Sequence, residues 1–403
     1  MKFQCPKCNA ILVSDEVTDG MKAACPECGS EIECHPLVIK PKLTLVSLPP
    51  EDRGADASLP RSIHTKMASA IGIEKLKGFK LSDLFSEVFS RHSREDVENY
   101  FTVGTAKSTP DILSVDAAWP KPWIFTRMMI ASLILYFLFW IGWGIWNNTN
   151  LLPGLMMIGS FAIPISTLVL FIELNVRRNV SLYMVARLAF LGGIFSMLIT
   201  HLLPVVPELL SLMLPDWSEL LDDSVAGPLE ETAKVLAMVA VASVSRYRYK
   251  LNGLLVGAAV GAGFSSFESA GYAFNVLLEG GGVDSMVRNI NIRGLMSPLG
   301  HVVWSAIAGC AFWRVANGQK FRWSMLCDER FIRLFLVPVV LHMIWNSPWQ
   351  LPYFGTFIGV GIVGWFVCLS LVQEGLHEIA AEQHEVRNIS ENGAVSERKG
   401  DVQ

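Results

Sequence analysis

The chain has 403 residues, of which 51% are hydrophobic and only 17% are charged, and its formal net charge is −4. Soluble domains carry about 25% charged residues, so this composition is typical of a membrane protein. The slightly acidic balance argues against a protein that binds nucleic acid.

Residues 1–35 predict a zinc ribbon, because two Cys-X-X-Cys pairs in a short span can close one tetrahedral site of four thiolates. The four ligands would be Cys5, Cys8, Cys25 and Cys28. So small a domain has too little core to fold without the metal, so the Zn²⁺ ion would be structural. Redox-active dithiols are the weaker alternative. A cytoplasmic partner of the ribbon is expected, and its nature stays open.

Residues 36–122 predict a linker followed by an amphipathic helical region. Prolines recur in residues 36–62, and residues 63–104 alternate charged and apolar groups at helical spacing. The apolar positions include Leu81, Leu84, Phe85, Val88 and Phe89. Short helices of this kind could pack on the membrane or on the ribbon, or could form a small subdomain of their own.

Residues 123–373 predict an all-α polytopic membrane domain of about eight transmembrane helices, because runs of about twenty apolar residues span a bilayer. The predicted spans are 123–146, 151–174, 182–204, 225–245, 251–278, 295–313, 331–348 and 351–373. No secretory signal is recognisable before them, and most Arg and Lys residues between spans fall on one side. Both termini are therefore expected in the cytoplasm, and residues 374–403 are expected to form a disordered tail.

A repeat of glycines marks the fifth predicted span. Gly253, Gly257 and Gly261 recur every four residues. Small residues at this spacing let two membrane helices approach closely, so the repeat predicts a helix-packing face.

Four of the predicted spans carry ionisable residues that a lipid-facing helix would not keep. A charge in the hydrocarbon core costs about 2.5–3.5 kcal/mol on insertion scales, so such residues usually line a polar site. With a rise of about 1.5 Å per residue, all of them fall at a similar depth in the outer half of their spans, which predicts one shared site. They are Glu230, Glu231 and Lys234 in the fourth span, Glu268 in the fifth, His301 in the sixth, and His342 with Asn346 in the seventh.

Each of these residues also has a purely structural interpretation. Lys234 is expected mainly to hold one glutamate through a helical ion pair, and Glu268 could bond only a neighbouring helix. His301 or His342 alone could be a satisfied interior imidazole. As a set at one depth, however, they favour a hydrolase in which a buried carboxylate activates water.

Four ordered motifs resemble the PrsW family of intramembrane proteases over about residues 125–373. They are Gly227-Pro-Leu-Glu-Glu-Thr-Ala-Lys234, Gly263-Phe-Ser-Ser-Phe-Glu268, Pro298-Leu-Gly-His-Val-Val-Trp304 and Leu341-His-Met-Ile-Trp-Asn346. The resemblance implies an endopeptidase in the bacterial inner membrane that cleaves membrane-anchored protein substrates, such as an anti-sigma factor, near the extracytoplasmic face. A zinc ribbon in front of this domain is outside the basic family pattern.

The resemblance also implies roles, through the related type II CAAX-prenyl proteases. Either Glu230 or Glu231 would be the base that activates water. Glu268 or His301 would position the water or shuttle protons, and His342 with Asn346 would form the oxyanion hole. Glu268 stands where the prenyl proteases have a histidine, so which histidine assists the base stays open.

A catalytic metal is a second possibility. Two histidines and a carboxylate could come from Glu231, Glu268, His301 and His342, but no His-Glu-X-X-His pair lies on one helix. The sequence therefore favours glutamate-activated water without a metal. Two other classes of protein stay open: a non-catalytic membrane scaffold that recruits partners through the ribbon, and an ion-coupled transporter, which would have inverted repeats and broken helices.

Overall fold

The computed structural model divides the chain into two units, Met1–Leu59 and Pro60–Gln403. The structure describes residues 2–4, 11–13, 21–24 and 30–34 of the first unit, and residues 70–74, 76, 79–93, 96, 101–105, 107–202, 226–242, 246–348 and 350–400 of the second. For residues 391–400 only the backbone is described.

The first unit contains two antiparallel hairpins. Strand β1 (Lys2–Gln4) pairs with β2 (Ile11–Val13), and β3 (Met21–Ala24) pairs with β4 (Glu31–Cys34). In the sequence, one Cys-X-X-Cys pair falls between the strands of each hairpin. The predicted zinc ligands Cys5, Cys8, Cys25 and Cys28 lie outside the described residues, so the zinc ribbon stays a prediction.

The second unit is helical, which confirms the predicted all-α membrane fold. Its long helices within the described residues are α1 (Ile124–Trp146), α2 (Leu152–Leu174), α3 (Leu182–Leu202), α4 (Ala226–Val241), α5 (Lys250–Leu278), α6 (Gly282–Met296), α7 (His301–Ala316), α8 (Glu329–Asn346) and α9 (Gly355–Gly400). A π-helical turn at Leu188–Gly192 interrupts α3.

Five segments of the described chain are long and apolar enough to cross a membrane. They are α1, Thr149–Leu174, α3, Gly282–Ala316 and Gly355–Ser390. Helices α4, α5 and α8, which the sequence also predicted as spans, are not among the five. The ionisable site residues lower the hydropathy of α4 and α5, and α4 is only 16 residues long, while α8 begins with the charged residues Glu329, Arg330 and Arg333.

Two segments differ from the sequence-based expectation. Residues 282–296 form helix α6, where an outer loop was expected, because their polar composition does not resemble a membrane span. The last helix continues to Gly400, where a disordered tail was expected from residue 374. Its extension has partners: Glu378 accepts a hydrogen bond from the backbone N–H of Lys250 at 2.8 Å, and the buried Glu374 pairs with Lys250 at 3.4 Å and with Arg314 at 3.5 Å.

Helix α5 lies at the centre of the membrane domain, and its glycine face packs on α7 as predicted. A Cβ at Gly253 would lie 2.7 Å from Cβ of Trp313, and one at Gly257 would collide with the backbone carbonyl of Ser305. The first half of α5 is buried almost without interruption. Helices α5 and α7 therefore form a closely packed pair that carries Glu268 and His301.

Candidate active site

The ionisable residues of α4, α5, α7 and α8 meet in one cluster, as their common depth predicted. Lys234 lies at its centre and is fully buried. Its Nζ atom lies 2.8 Å from Oε1 of Glu231, 2.9 Å from Nδ1 of His301 and 3.5 Å from Oε2 of Glu230. Lys234 therefore contacts both glutamates of α4, with Glu231 as the closer partner, and it also reaches across to α7.

The two adjacent glutamates of α4 have different surroundings. Glu231 is fully buried, and its Oε1 atom lies 3.0 Å from Nδ1 of His342. Glu230 is 12% exposed and pairs with Lys234 only at the longer distance of 3.5 Å. Because a carboxylate accepts hydrogen bonds, Nδ1 of His342 carries the proton in its contact with Glu231. The Nε2 atom of a neutral His342 then offers a lone pair.

His301 is oriented by a second carboxylate. Its Nε2 atom lies 3.1 Å from Oε2 of Glu268, and its Nδ1 atom accepts a hydrogen bond from Lys234. Glu268 in turn pairs with Arg293 of α6 at 2.5 Å. Each imidazole therefore has one nitrogen held by a carboxylate, and its other nitrogen faces the centre of the cluster.

Three ligand atoms converge at this centre. Oε2 of Glu230 lies 4.0 Å from Nδ1 of His301 and 3.8 Å from Nε2 of His342, and all three atoms lie within 4.8 Å of one another. Around them, the cluster contains three carboxylates and two cations, Lys234 and Arg293. If both imidazoles are neutral, the net charge of the cluster is −1. The carboxylate with the weakest pairing is that of Glu230.

Glycines on α4 and α5 allow these helices to pack closely against the segments that carry His342 and His301. A Cβ at Gly227 would lie 3.1 Å from the backbone nitrogen of Met343 and 3.3 Å from Cβ of His342, so α4 can approach α8 closely. A Cβ at Gly261 would lie 2.7 Å from the side chain of Ser305 and 2.5 Å from the carbonyl oxygen of His301. Close backbone approach is thus what brings Glu231 to His342 and keeps α5 beside His301.

Aromatic side chains enclose the cluster. The ring of Phe264 lies 4.1 Å from Nζ of Lys234, and the ring of the fully buried Trp304 lies 4.7 Å from that of His342. Such walls reduce the access of water and strengthen the charge interactions inside. The site can therefore hold a charged group in a fixed geometry.

Two residues differ from the expected site. Asn346, half-buried one turn beyond His342, has no hydrogen bond to the cluster among the described residues. Arg293 lies between two predicted spans and was not among the predicted site residues, yet it contacts Glu268 and Ser269, and its guanidinium lies 4.1 Å from the ring of Tyr272. An arginine in a segment of low hydropathy next to a span gave no sequence signal for this role.

The donor set at the centre fits a divalent metal ion. The three donors would be Glu230, His301 and His342, in place of the larger set that the sequence suggested, because Glu231 and Glu268 hold the outer ring nitrogens. Ligand atoms of a tetrahedral zinc ion lie about 3.3 Å apart, so the observed separations of 3.8 Å and 4.0 Å are slightly wide. The Lys234 ammonium beside Nδ1 of His301 would have to move away from the ion.

Carboxylates and imidazoles that converge among membrane helices are the groups with which membrane hydrolases activate water. Residues 181–372 match the family described as PrsW family intramembrane metalloprotease, which confirms the resemblance that the four motifs indicated. The matching segment makes up a little under half of the 403 residues, and the apolar helices together with this match show a multi-pass membrane protein. No curated protein and no solved structure matches the chain significantly.

Proposed function

We propose that this protein is an intramembrane endopeptidase in which Glu230 activates the attacking water. The observation that carries the proposal is the convergence of Oε2 of Glu230 and Nε2 of His342, 3.8 Å apart, in a site that leaves Glu230 weakly paired. A single water could hydrogen-bond to both atoms from one side, at about 2.8 Å from each. Because the water donates a hydrogen to each atom, its oxygen lone pairs stay free to attack a peptide carbonyl carbon.

The neighbouring glutamate, Glu231, has a different role. It is fully buried between Lys234 and His342 and has no face towards a substrate. It holds the imidazole of His342 with the proton on Nδ1, so that Nε2 can accept a hydrogen bond from the water. Glu231 and Lys234 are therefore positioning residues, and Glu230 is the general base.

The carboxylate of Glu230 carries one proton from the water to the leaving group. Water attacks the scissile carbonyl carbon while its proton moves to Glu230, and the tetrahedral intermediate collapses as the same proton passes to the leaving amine nitrogen. The amide of Asn346 is the proposed oxyanion donor. A neutral His342 protonated on Nδ1 cannot donate from Nε2, so the oxyanion role that the resemblance implied for His342 fits less well than a water-positioning role.

A metal-dependent reaction is the second candidate, and the donor set of Glu230, His301 and His342 favours it specifically. A bound zinc ion would act as a Lewis acid and lower the pKa of its water. The position of Lys234 argues against a metal at this site. Its Nζ atom lies 2.9 Å from Nδ1 of His301, and an ammonium and a dication repel each other at such distances. We therefore favour the glutamate mechanism.

The substrate class is proposed from the family resemblance and the depth of the site. Membrane-anchored proteins, an anti-sigma factor among them, would be cleaved near the extracytoplasmic face of the bacterial inner membrane. Both termini would then lie in the cytoplasm, which the distribution of Arg and Lys between the helices supports. Reporter fusions after Leu202, Leu278 and Asn346 would test this orientation, since all three positions are predicted to lie on the extracytoplasmic side.

The proposed activity is tested by co-expression with a library of tagged single-span membrane proteins. Wild type is compared with Glu230→Gln and with Glu329→Gln, a matched control whose carboxylate is exposed at the start of α8. We expect at least one substrate to be cleaved by wild type and by the control but not by Glu230→Gln. A substrate that Glu230→Gln cleaves at the wild-type rate would overturn the mechanism, and the absence of any cleaved substrate would favour a scaffold or a transporter.

A further inference from the structure

Residues 79–93 form a segment with two distinct faces, which we name the interfacial segment. It contains a short 3₁₀ helix at Leu81–Leu84 followed by turns. Leu84 and Val88 are buried, and Val88 belongs to the main hydrophobic core. Leu81, Phe85 and Phe89 recur every four residues on the other face, and Phe89 is 92% exposed. Together these three side chains form an exposed apolar patch of the kind that marks a contact site.

The interfacial segment is fixed to the first turn of α1. Arg127 donates from Nε to the carbonyl of Val88 at 2.8 Å and from its terminal nitrogen to that of Ser90 at 2.5 Å. The ring of His92 stacks on Trp123 with 3.7 Å between ring centroids. The segment therefore lies at the level where α1 begins.

The start of α1 is itself rigid. Glu173 of α2 is buried and accepts hydrogen bonds from three backbone N–H groups, those of Trp123 and Ile124 on one oxygen and that of Phe125 on the other. These are amides that a helix N-terminus leaves without an internal partner. Because the start of α1 is held in this way, the interfacial segment lies at a fixed level relative to α1.

The exposed face of the segment continues into the lipid-facing surface of α1. Ile130 and Ile134 of α1 are 43% and 56% exposed, and α1 is one of the five segments long and apolar enough to cross a membrane. A groove of about 390 Å³ separates the segment from α1, lined by Val88, Phe89, Arg127, Ile130, Ala131 and Ile134. Apolar side chains of the segment and of α1 thus line one groove and are in position to meet the same lipid.

We propose that the interfacial segment is a membrane anchor whose Leu81, Phe85 and Phe89 insert between lipid acyl chains, with one chain lying in the groove against α1. Amphipathic segments of this kind lie in the plane of the interface, with their apolar face buried at the boundary of headgroups and chains. Of the alternatives that the sequence left open for this region, the proposal favours packing on the membrane. It does not depend on the proposed catalysis.

The test uses the full-length protein in liposomes of phosphatidylethanolamine and phosphatidylglycerol whose acyl chains carry an alkyne. The photoreactive residue p-benzoylphenylalanine is placed in turn at Phe85, Phe89, Ser82 and Ser86. The two serines are exposed neighbours and serve as matched controls. Lipid adducts are counted by mass spectrometry relative to the same probe at Ile134 of α1.

We expect roughly tenfold more lipid adduct at Phe85 and Phe89 than at the two serines, because burial of one aromatic side chain favours the apolar phase by about that factor. Arg127→Gln should lower the adduct at Phe89 severalfold and leave the adduct at Ile134 unchanged. Equal adducts at all four positions would overturn the proposal. So would crosslinks from Phe85 and Phe89 to residues 1–59, because the occupant of this face would then be the N-terminal unit.

Discussion

Nδ1 of His342 lies 3.0 Å from Oε1 of Glu231, and this contact distinguishes the two adjacent glutamates of α4. Glu231 is turned into the protein, between His342 and Lys234, while Glu230 faces the imidazoles with only a distant counter-ion. Two consecutive helical residues point about 100° apart, so one helix can supply both a positioning carboxylate and a reacting one. We therefore expect Glu231 to matter for stability and Glu230 for the reaction.

Glu231→Gln should unfold the protein at a lower temperature, and Glu230→Gln should not. Lys234 is fully buried, and removal of its main partner leaves a buried charge unpaired, which costs about 3–5 kcal/mol. In a domain of this size that corresponds to a fall in Tm of roughly 10 °C. Thermal unfolding of both variants in detergent measures the difference. Equal Tm values for the two variants would contradict the assigned roles.

A double-mutant cycle tests whether Glu231 and Lys234 act as a pair. Lys234→Met alone should destabilise the protein, because two carboxylates then face each other without a cation. Combination with Glu231→Gln should recover part of the loss, with a coupling energy of about 1–3 kcal/mol. Additive effects of the two substitutions on Tm would show that the 2.8 Å contact between them contributes nothing.

Much of this site could be predicted from the sequence, because charge in an apolar span is conspicuous and helical rise converts position into depth. Glu268, His301 and His342 were placed together in this way. Helix α6 and Arg293 were missed, since a polar segment between spans resembles a loop. The choice between Glu230 and Glu231 depends on the rotation of α4 against α8, which is set by the close approach at Gly227, and periodicity does not reveal it.

Arg293→Gln should reduce cleavage roughly tenfold, because a group that orients a site imidazole typically contributes tenfold or more. Arg293 pairs with Glu268, which holds His301, so its loss should lower kcat with little change in KM. Arg293→Lys should restore part of kcat, because the charge is kept. Arg288→Gln, at an exposed position of the same helix, is the control. If Arg288→Gln lowered kcat equally, the effect of Arg293→Gln would not be specific and Arg293 would have no role in the site.

Gly257→Ala should destabilise the membrane domain, although alanine favours helix. Its Cβ would collide with the backbone carbonyl of Ser305, and overpacking of this kind costs about 1–3 kcal/mol. Gly271→Ala in the same helix meets nothing within 4 Å and should be neutral or stabilising. The two Tm values are compared in detergent. A stable Gly257→Ala variant would mean that α5 and α7 are not in close contact.

Metal content separates the two candidate mechanisms. If the ribbon holds the zinc and the membrane site does not, the purified protein should contain one zinc ion per chain. Cys5→Ser together with Cys8→Ser should then release the zinc while cleavage continues. The measurement is elemental analysis alongside a cleavage assay. A second equivalent of zinc that is lost in His342→Ala would support the metal-dependent reaction instead.

The most direct test of the central claim is the rate at which purified Glu230→Gln cleaves a single-span substrate in proteoliposomes. Loss of a general base should lower kcat by about 10²–10⁴-fold, while Tm stays at the wild-type value. Glu329→Gln is expected to match wild type in both measurements. A Glu230→Gln enzyme with a wild-type rate, alongside an inactive but fully folded Glu231→Gln enzyme, would assign the base to the buried glutamate and contradict the role proposed for Glu230.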